Sequence, residues 1–316
     1  MSRIVIALGG NALQSNPKDT SAESQLNTAK DTAKYIVDLV KEGHDIIIAH
    51  GNGPQVGQIV STYETAHNIE KNNPIMPFPE CGAMSQGYIG YHLQQAIKME
   101  LIKRGINKEV VTLITEVVVD EKDENFKNPS KPIGSFFTED EAKKISSEKG
   151  YVFKEDANRG WRRVVPSPLP IKIIEENSIR TLMEAGHIVI TVGGGGIPLL
   201  EKEDGTFKGV DAVIDKDFAS EKLAEILEAD KFLILTAVEK VYINYGKPEE
   251  KSLDKVKVKD MEEYIKQGHF APGSMLPKVK AAIKFATSKE KRETIITSLD
   301  KVKEGLKGIT GTTITL

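Results

Sequence analysis

The 316 residues carry 43 basic and 46 acidic side chains, a net charge of −3, with both signs mixed along the chain. That pattern excludes a nucleic-acid-binding stripe or a polybasic membrane patch, and no apolar run approaches the roughly 20 residues of a membrane span. The length fits about two domains, or one large α/β domain with an insertion, and the single cysteine, Cys81, excludes an internal disulfide and any CxxC site.

Met1-Ser-Arg-Ile-Val-Ile enters a strand directly, so no signal peptide and a cytoplasmic protein are expected. Ile4-Val-Ile-Ala-Leu8 reads as a buried strand closed by Gly9-Gly10-Asn11. Thr20 and Glu23 have capping-box spacing, ahead of a helix with Ala22, Leu26, Ala29, Ala33, Ile36, Val37 and Val40 on one stripe. Gly43 stops that helix. Ile46-Ile-Ile48 is a second buried strand, and it empties into His50-Gly51-Asn52-Gly53-Pro54, with Pro54 suited to a helix start. Helices are expected at 55–69 and near 81–103. The second is rich in small residues (Gly82, Ala83, Ser85, Gly87, Gly90), which serve close packing, within or between subunits. Cys81 reads as a small buried side chain.

Residues 110–119 form one long β-prone run. From Asp120 to about Arg163 the chain turns charged and irregular, with a capping box at Thr138 and Glu141 and two segments, Tyr151-Val-Phe and Trp161-Arg-Arg-Val-Val, able to pair as strands. This polar stretch between two sheet halves reads as a lid or protruding subdomain, or equally as a solvated excursion. A helix is expected at 171–185. Then comes the stretch that concentrates the chemistry, from Ile188 to Asp217: an apolar run, Gly193-Gly-Gly-Gly196, and Asp215-Lys216-Asp217 at the mouth of an amphipathic helix. Further strands are expected at 231–236, 241–244, 295–297 and 312–316, and a helix at 275–290 with Lys278 in its first turn.

Strand followed by glycine loop thus occurs at 4–10, 46–53 and 188–196. Glu42-Gly-His44 and Ala185-Gly-His187 precede the last two alike. The rhythm is that of a mainly parallel sheet with helices on both faces, whose ligands bind beyond the carboxyl ends of the strands. Glycines let a ligand approach backbone N–H groups, and helix starts add oriented donors. A lysine in a helix's first turn opposes the helix dipole unless an anion offsets it, so Lys216 points to a phosphate; the plainer alternative is a tight turn with a solvated lysine.

There is no Walker-type P-loop, no G-x-G-x-x-G after the first strand and no protein-kinase signature. The six histidines are scattered. Lysines aimed at glycine-lined strand ends suit phosphoryl transfer, which asks for alignment and positive charge, normally with Mg²⁺. An acceptor that is already an oxyanion needs no general base, and Asp215 would then hold lysines in place.

Ile4-Val-Ile-Ala-Leu-Gly-Gly-Asn11, Ala49-His-Gly-Asn-Gly-Pro-Gln-Val-Gly57, Gly209-Val-Asp-Ala-Val-Ile-Asp-Lys-Asp217 and Gly273-Ser-Met-Leu-Pro-Lys278 resemble the carbamate kinases of the amino acid kinase family. So do Cys81-Gly-Ala-Met-Ser-Gln-Gly-Tyr-Ile-Gly90 and Pro166-Ser-Pro-Leu-Pro170, and the similarity covers essentially the whole chain. The resemblance implies a three-layer α/β/α sandwich around a mainly parallel central sheet, with a small protruding lid. One domain would span 1–316: an acid-substrate half at about 1–119 and 164–187, a lid at about 120–163, and a nucleotide half at about 188–316. It implies a phosphotransferase catalysing ATP + carbamate ⇌ ADP + carbamoyl phosphate, used to make ATP in arginine catabolism by the arginine deiminase pathway. It also implies a homodimer, with Mg²⁺ carried by the nucleotide phosphates and no direct protein ligand.

By the same resemblance Lys131, Lys216, Asp215 and Lys278 would be catalytic, and Gly9, Gly10, Asn11, Gly51, Asn52 and Gly53 would cradle carbamate and the moving phosphoryl. Gly194, Gly195, Asp211, Lys216, Ala237, Val238, Tyr242, Pro272, Gly273, Met275 and Lys278 would bind nucleotide. Many amino acid kinases carry a lysine just before the first Gly-Gly. Here that place is Ala7, and Lys131 from the lid would supply the charge. Alternatives in the same fold are an acetylglutamate- or uridylate-type kinase; outside it, a nucleotide-binding regulator without catalysis, or a dehydrogenase.

Overall fold

The computed structural model describes residues 2–16, 18–156 and 159–316. Its central sheet has eight strands in the order Lys255–Lys257, Thr312–Thr315, Glu293–Ser298, Lys231–Thr236, Arg3–Leu8, Asp45–His50, Ile188–Ile190 and Val110–Thr112. Neighbours pair in parallel except Glu293–Ser298 with Thr312–Thr315, so the two strands at that edge run against the rest.

The sheet is apolar on both faces because successive side chains alternate. Val5, Ala7, Ile47, Ala49, Phe232 and Ile234 enter one core; Ile4, Ile6, Ile46, Ile48, Leu233 and Leu235 enter the other. Helices Ala22–Lys41 and Phe78–Lys103 cover the second core through Ala33, Ile36, Leu93 and Ile97. Helices Glu176–Glu184, Lys216–Ile226 and Met275–Ser288 cover the first through Ile179, Leu223 and Phe285. The expected α/β/α sandwich is therefore what the chain builds.

A smaller four-stranded sheet, in the order Phe207–Gly209, Ile197–Glu201, Glu116–Val119, Pro170–Ile173, flanks the main one. Lys131–Phe137, Trp161–Val165 and Val152–Glu155 form an antiparallel sheet with helix Glu139–Lys149. The pairing expected of Tyr151-Val-Phe with the Trp161 segment is present as Val152 opposite Val164. The Thr138–Glu141 capping box is present too. This unit seats Ile133 and Val165 on Val56 and Val60 of helix Gly53–Ile69.

Three expectations need correction. Residues 110–119 are not one strand: the chain leaves the main sheet after Thr112 and joins the smaller sheet at Glu116. Gln86 holds the break, since its amide accepts from Thr115 N–H at 2.8 Å and withholds that donor from any ladder, while the Thr115 carbonyl accepts both from Gln86 at 3.1 Å and from Ile197 N–H at 2.9 Å as the smaller sheet begins. The first helix is capped by Ser21, whose hydroxyl accepts from Ser24 N–H at 3.2 Å, and not by Thr20. Residues 171–185 open as a strand, Pro170–Ile173, and turn helical only at Glu176.

Candidate active site

Beyond the carboxyl ends of the central strands lie two adjoining cavities. The inner one, about 290 Å³, is lined by Gly10, Gly51, Asn52, Gly53, Lys131, Gly194, Asp215, Lys216, Asp217, Gly273, Ser274 and Lys278, among others. The outer one, about 680 Å³, includes Ala237, Val238, Tyr242, Phe270, Met275 and Lys278. Ser274 and Lys278 line both, so the cavities meet there.

Three helix starts face the inner space: Gly53–Ile69, Lys216–Ile226 and Met275–Ser288. The first and third have no side-chain cap, and although Pro54 and Pro277 carry no N–H and Leu276 N–H is taken by the Ala271 carbonyl at 3.0 Å, the positive ends of both helices face the space a ligand would fill. The second is capped by Asp215, which accepts from Asp217 N–H at 2.9 Å. Its other oxygen accepts from Lys131 Nζ at 2.6 Å, so the lysine expected from the lid stands at the site. Ala7, by contrast, is sealed in the core.

The other two lysines are organised by a residue not singled out from sequence. Asp217 is 2% exposed and accepts from Lys216 at 2.6 Å and from Lys278 at 2.8 Å. Among the described residues Asp215 forms its ion pair with Lys131. Burial raises the Asp217 carboxyl, but the two ammonium groups outweigh it and hold the group below the ordinary carboxylate range. Burial lowers Lys216, against the pull of Asp217. Asp-Lys-Asp in sequence signals a charged cluster but does not say which carboxylate turns inward.

His50 is the other residue passed over. It closes its strand fully buried, donates from Nδ1 to the Gly51 carbonyl at 2.8 Å, and burial lowers its pKa to about 4, with Lys216 adding to the effect. It is therefore neutral and supports the loop above it.

The glycines divide into two kinds. A Cβ on Gly10, Gly53 or Gly273 would meet nothing within 4 Å, so these line open space for a ligand. A Cβ on Gly194 would lie 2.2 Å from Asn52 Nδ2 and one on Gly195 2.2 Å from the Ile214 carbonyl, both at positive φ. Those glycines let loops 51–53 and 193–196 interlock, so the Gly-rich run is mostly packing, with Gly194 alone reaching the inner cavity. Val192 just before it sits at φ +53, an uncommon conformation for a β-branched residue, held by its N–H donating to Thr115 Oγ1 at 3.0 Å.

Of the remaining expected site residues, Gly9 lies beneath the floor, 2.7 Å from the Leu235 carbonyl by its would-be Cβ. Asn11 lies in the short turn Gly10–Ala12. Neither they nor Gly195, Pro272 and Asp211 line either cavity. Asp211 accepts from Arg163 at 2.6 Å, at the end of the segment expected to form a lid. Cys81 is buried, and desolvation pushes its thiol up to about 11, which fits the packing role. Among the described residues no three His, Cys, Asp or Glu side chains group to hold a metal ion, and no helix is long and apolar enough to cross a membrane.

An α/β/α sandwich with lysines gathered beyond its strand ends defines a phosphotransferase class, and the profile of the amino acid kinase family matches residues 2–298. The chain belongs to the amino acid kinase family. Within that family it is similar to the carbamate kinase of Clostridium perfringens, 55% identical over 312 residues and covering 99% of each chain. It is 54% identical to a carbamate kinase-like protein of Escherichia coli, over 99% of this chain and 98% of that one. Carbamate kinase from Giardia lamblia bound to AMP-PNP superimposes with a TM-score of 0.93 at 42% identity, over 99% and 98% of the two chains. The fold and the family expected from the sequence are correct, and the protein is a kinase.

Proposed function

We propose that the protein is a carbamate kinase, transferring a phosphoryl group between ATP and carbamate to give ADP and carbamoyl phosphate. The observation that carries this reading is the junction at Ser274 and Lys278 between a larger cavity and a smaller one holding two further lysines, Lys131 and Lys216. The outer cavity has room for a nucleotide, with Ala237, Val238, Tyr242 and Met275 around the base. The inner cavity suits a small acid against Gly10, Gly51, Asn52 and Gly53, with Gly9 and Asn11 shaping the turn behind.

Carbamate is already an oxyanion, so its oxygen attacks the γ-phosphorus in line as the bond to the ADP oxygen breaks, and no side chain need take a proton. Lys131, Lys216 and Lys278 neutralise the oxygens of the moving group, and Asp215 and Asp217 keep those lysines aimed. The lid bearing Lys131 excludes water. Mg²⁺ would be held by the nucleotide phosphates and would supply further charge neutralisation there, since Asp215 and Asp217 are each taken up by lysine.

We place the enzyme in the cytoplasm, making ATP from carbamoyl phosphate in arginine catabolism, as a homodimer. Support for the dimer comes from helix Phe78–Lys103, which leaves Met84, Tyr91, Met99 and Ile102 exposed. A halved chain layout, 1–119 with 164–187 for the acid and 188–316 for the nucleotide, closed by 120–163, belongs to the same reading. Ala7 and the lid speak against an acetylglutamate- or uridylate-type kinase.

The test is ATP formation from ADP and carbamoyl phosphate with Mg²⁺, followed by luciferase, with acetylglutamate and UMP as rival acceptors in the reverse direction. No ATP above background sinks the proposal. In the same assay Lys131→Ala should lower kcat on the order of 10²–10³ while nucleotide KM changes little; a collapse of nucleotide affinity instead would place Lys131 on the wrong ligand.

A further inference from the structure

Gln55, the third residue of helix Gly53–Ile69, lines the inner cavity and is 2% exposed. Its Nε2 donates to Gln25 Oε1 at 2.9 Å, and Gln25 Nε2 donates in turn to the Thr20 carbonyl at 2.9 Å. Gln25 is 3% exposed, so this pair of amides is closed off from water. The relay has a direction. A backbone carbonyl only accepts, so Gln25 must turn its NH₂ to Thr20 and its oxygen to Gln55, and Gln55 must turn its NH₂ to Gln25. Gln55 Oε1 is left buried with no hydrogen-bond partner among the described residues. A buried acceptor stranded in that way is destabilising, and a ligand donor reaching it from the cavity that Gln55 lines would recover the loss.

Resting on the reaction proposed above, we infer that Gln55 is the specificity residue for the amino group of carbamate. Its Oε1 accepts from the N–H of carbamate or carbamoyl phosphate, and the Thr20–Gln25 relay prevents the amide from turning to offer NH₂ instead. An acid with a methyl group in place of NH₂ has no donor to give and leaves Oε1 unpaired. The glycines and lysines of the cavity read the carboxylate and the phosphoryl, which acetyl phosphate shares; Gln55 reads the one group it lacks.

The experiment compares kcat/KM for ATP formation from carbamoyl phosphate and from acetyl phosphate, the latter read also as an inhibitor of the former. Gln55→Met keeps the side-chain length and removes the acceptor. The expected result is a fall of at least tenfold with carbamoyl phosphate, a change under threefold with acetyl phosphate, and an unchanged KM for ADP. Gln25→Met, away from the ligand, frees the Gln55 amide to turn and should lower the same ratio by at least threefold; it carries the test alone if Gln55→Met does not fold. A carbamoyl-to-acetyl ratio within twofold of the unsubstituted protein in the folded variants overturns the inference and leaves the reaction standing. If the unsubstituted protein forms ATP from neither compound, it is the reaction that fails, and the assignment of Gln55 with it.

Discussion

Asp217→Asn is the most revealing perturbation of the site. The carboxylate stands 2.6 Å from one ammonium and 2.8 Å from another, with side-chain exposures of 3% for the acid and 15% for each lysine. Its replacement removes the counter-charge of two nearly buried cations and points an amide at one of them. Losing one partner of a buried ion pair costs about 3–5 kcal/mol, and two charge-assisted hydrogen bonds at about 1.5–3 kcal/mol each give an overlapping range of about 3–6 kcal/mol. Chemical denaturation should therefore show a loss of about 3–5 kcal/mol, and kcat should fall on the order of 10²–10³ as the lysines lose their aim. A non-hydrolysable ATP analogue supplies the missing negative charge, so it should stabilise the variant more than the parent. A variant within about 0.5 kcal/mol of the parent, with no larger response to the analogue, would refute Asp217 as the organiser.

Two further predictions concern the floor of the site. Gly10→Ala should leave stability within about 0.5 kcal/mol, as expected away from packed features, because its methyl meets no protein atom, yet raise the KM for carbamoyl phosphate at least tenfold. Gly194→Ala should instead lower stability by about 1–3 kcal/mol, since its methyl collides with Asn52 at a positive φ; the reverse pattern in denaturation and kinetics would show the two glycine classes misassigned. His50 carries a pH signature. Its pKa is lowered from 6.5 to about 4, so between those values the unfolded chain holds a proton that the folded chain does not. Stability therefore rises with pH across that window and is lost on acidification, by about 3 kcal/mol in all. His50→Asn should flatten that part of the stability–pH curve, and an unchanged slope would show that His50 does not titrate as its burial demands.

Much of the sheet was legible because buried parallel strands announce themselves as apolar runs ending in glycine, as at 4–10 and 46–53. The misread stretch, 110–119, is as β-prone as either, and what holds it split is Gln86, more than twenty residues upstream and invisible to local periodicity. The site shows the same division. Lysines at helix starts are readable because they defy the dipole rule. Which carboxylate each lysine meets depends on how helices from distant parts of the chain converge, and no spacing within Asp215-Lys216-Asp217 encodes it. The Gly193–Gly196 run advertised a ligand cradle, yet most of its glycines answer to Asn52, Ile214 and Val117; composition alone does not separate room for a ligand from room for a neighbouring loop.

Two ion pairs help hold the proposed lid, Lys131 with Asp215 and Arg163 with Asp211, and both anchors fall within one five-residue stretch that runs straight into the helix carrying Lys216. The second tether is half open to water, with Asp211 47% exposed, and a pair of that kind adds about 0–1 kcal/mol to folding. Its value lies in alignment, since the same stretch that receives the lid also sets the first turn of the lysine-bearing helix. A surface substitution at Asp211 would leave a melting curve almost untouched while shifting the lid against the helix it serves. Thermal screening would pass such a variant as neutral; only turnover would expose it.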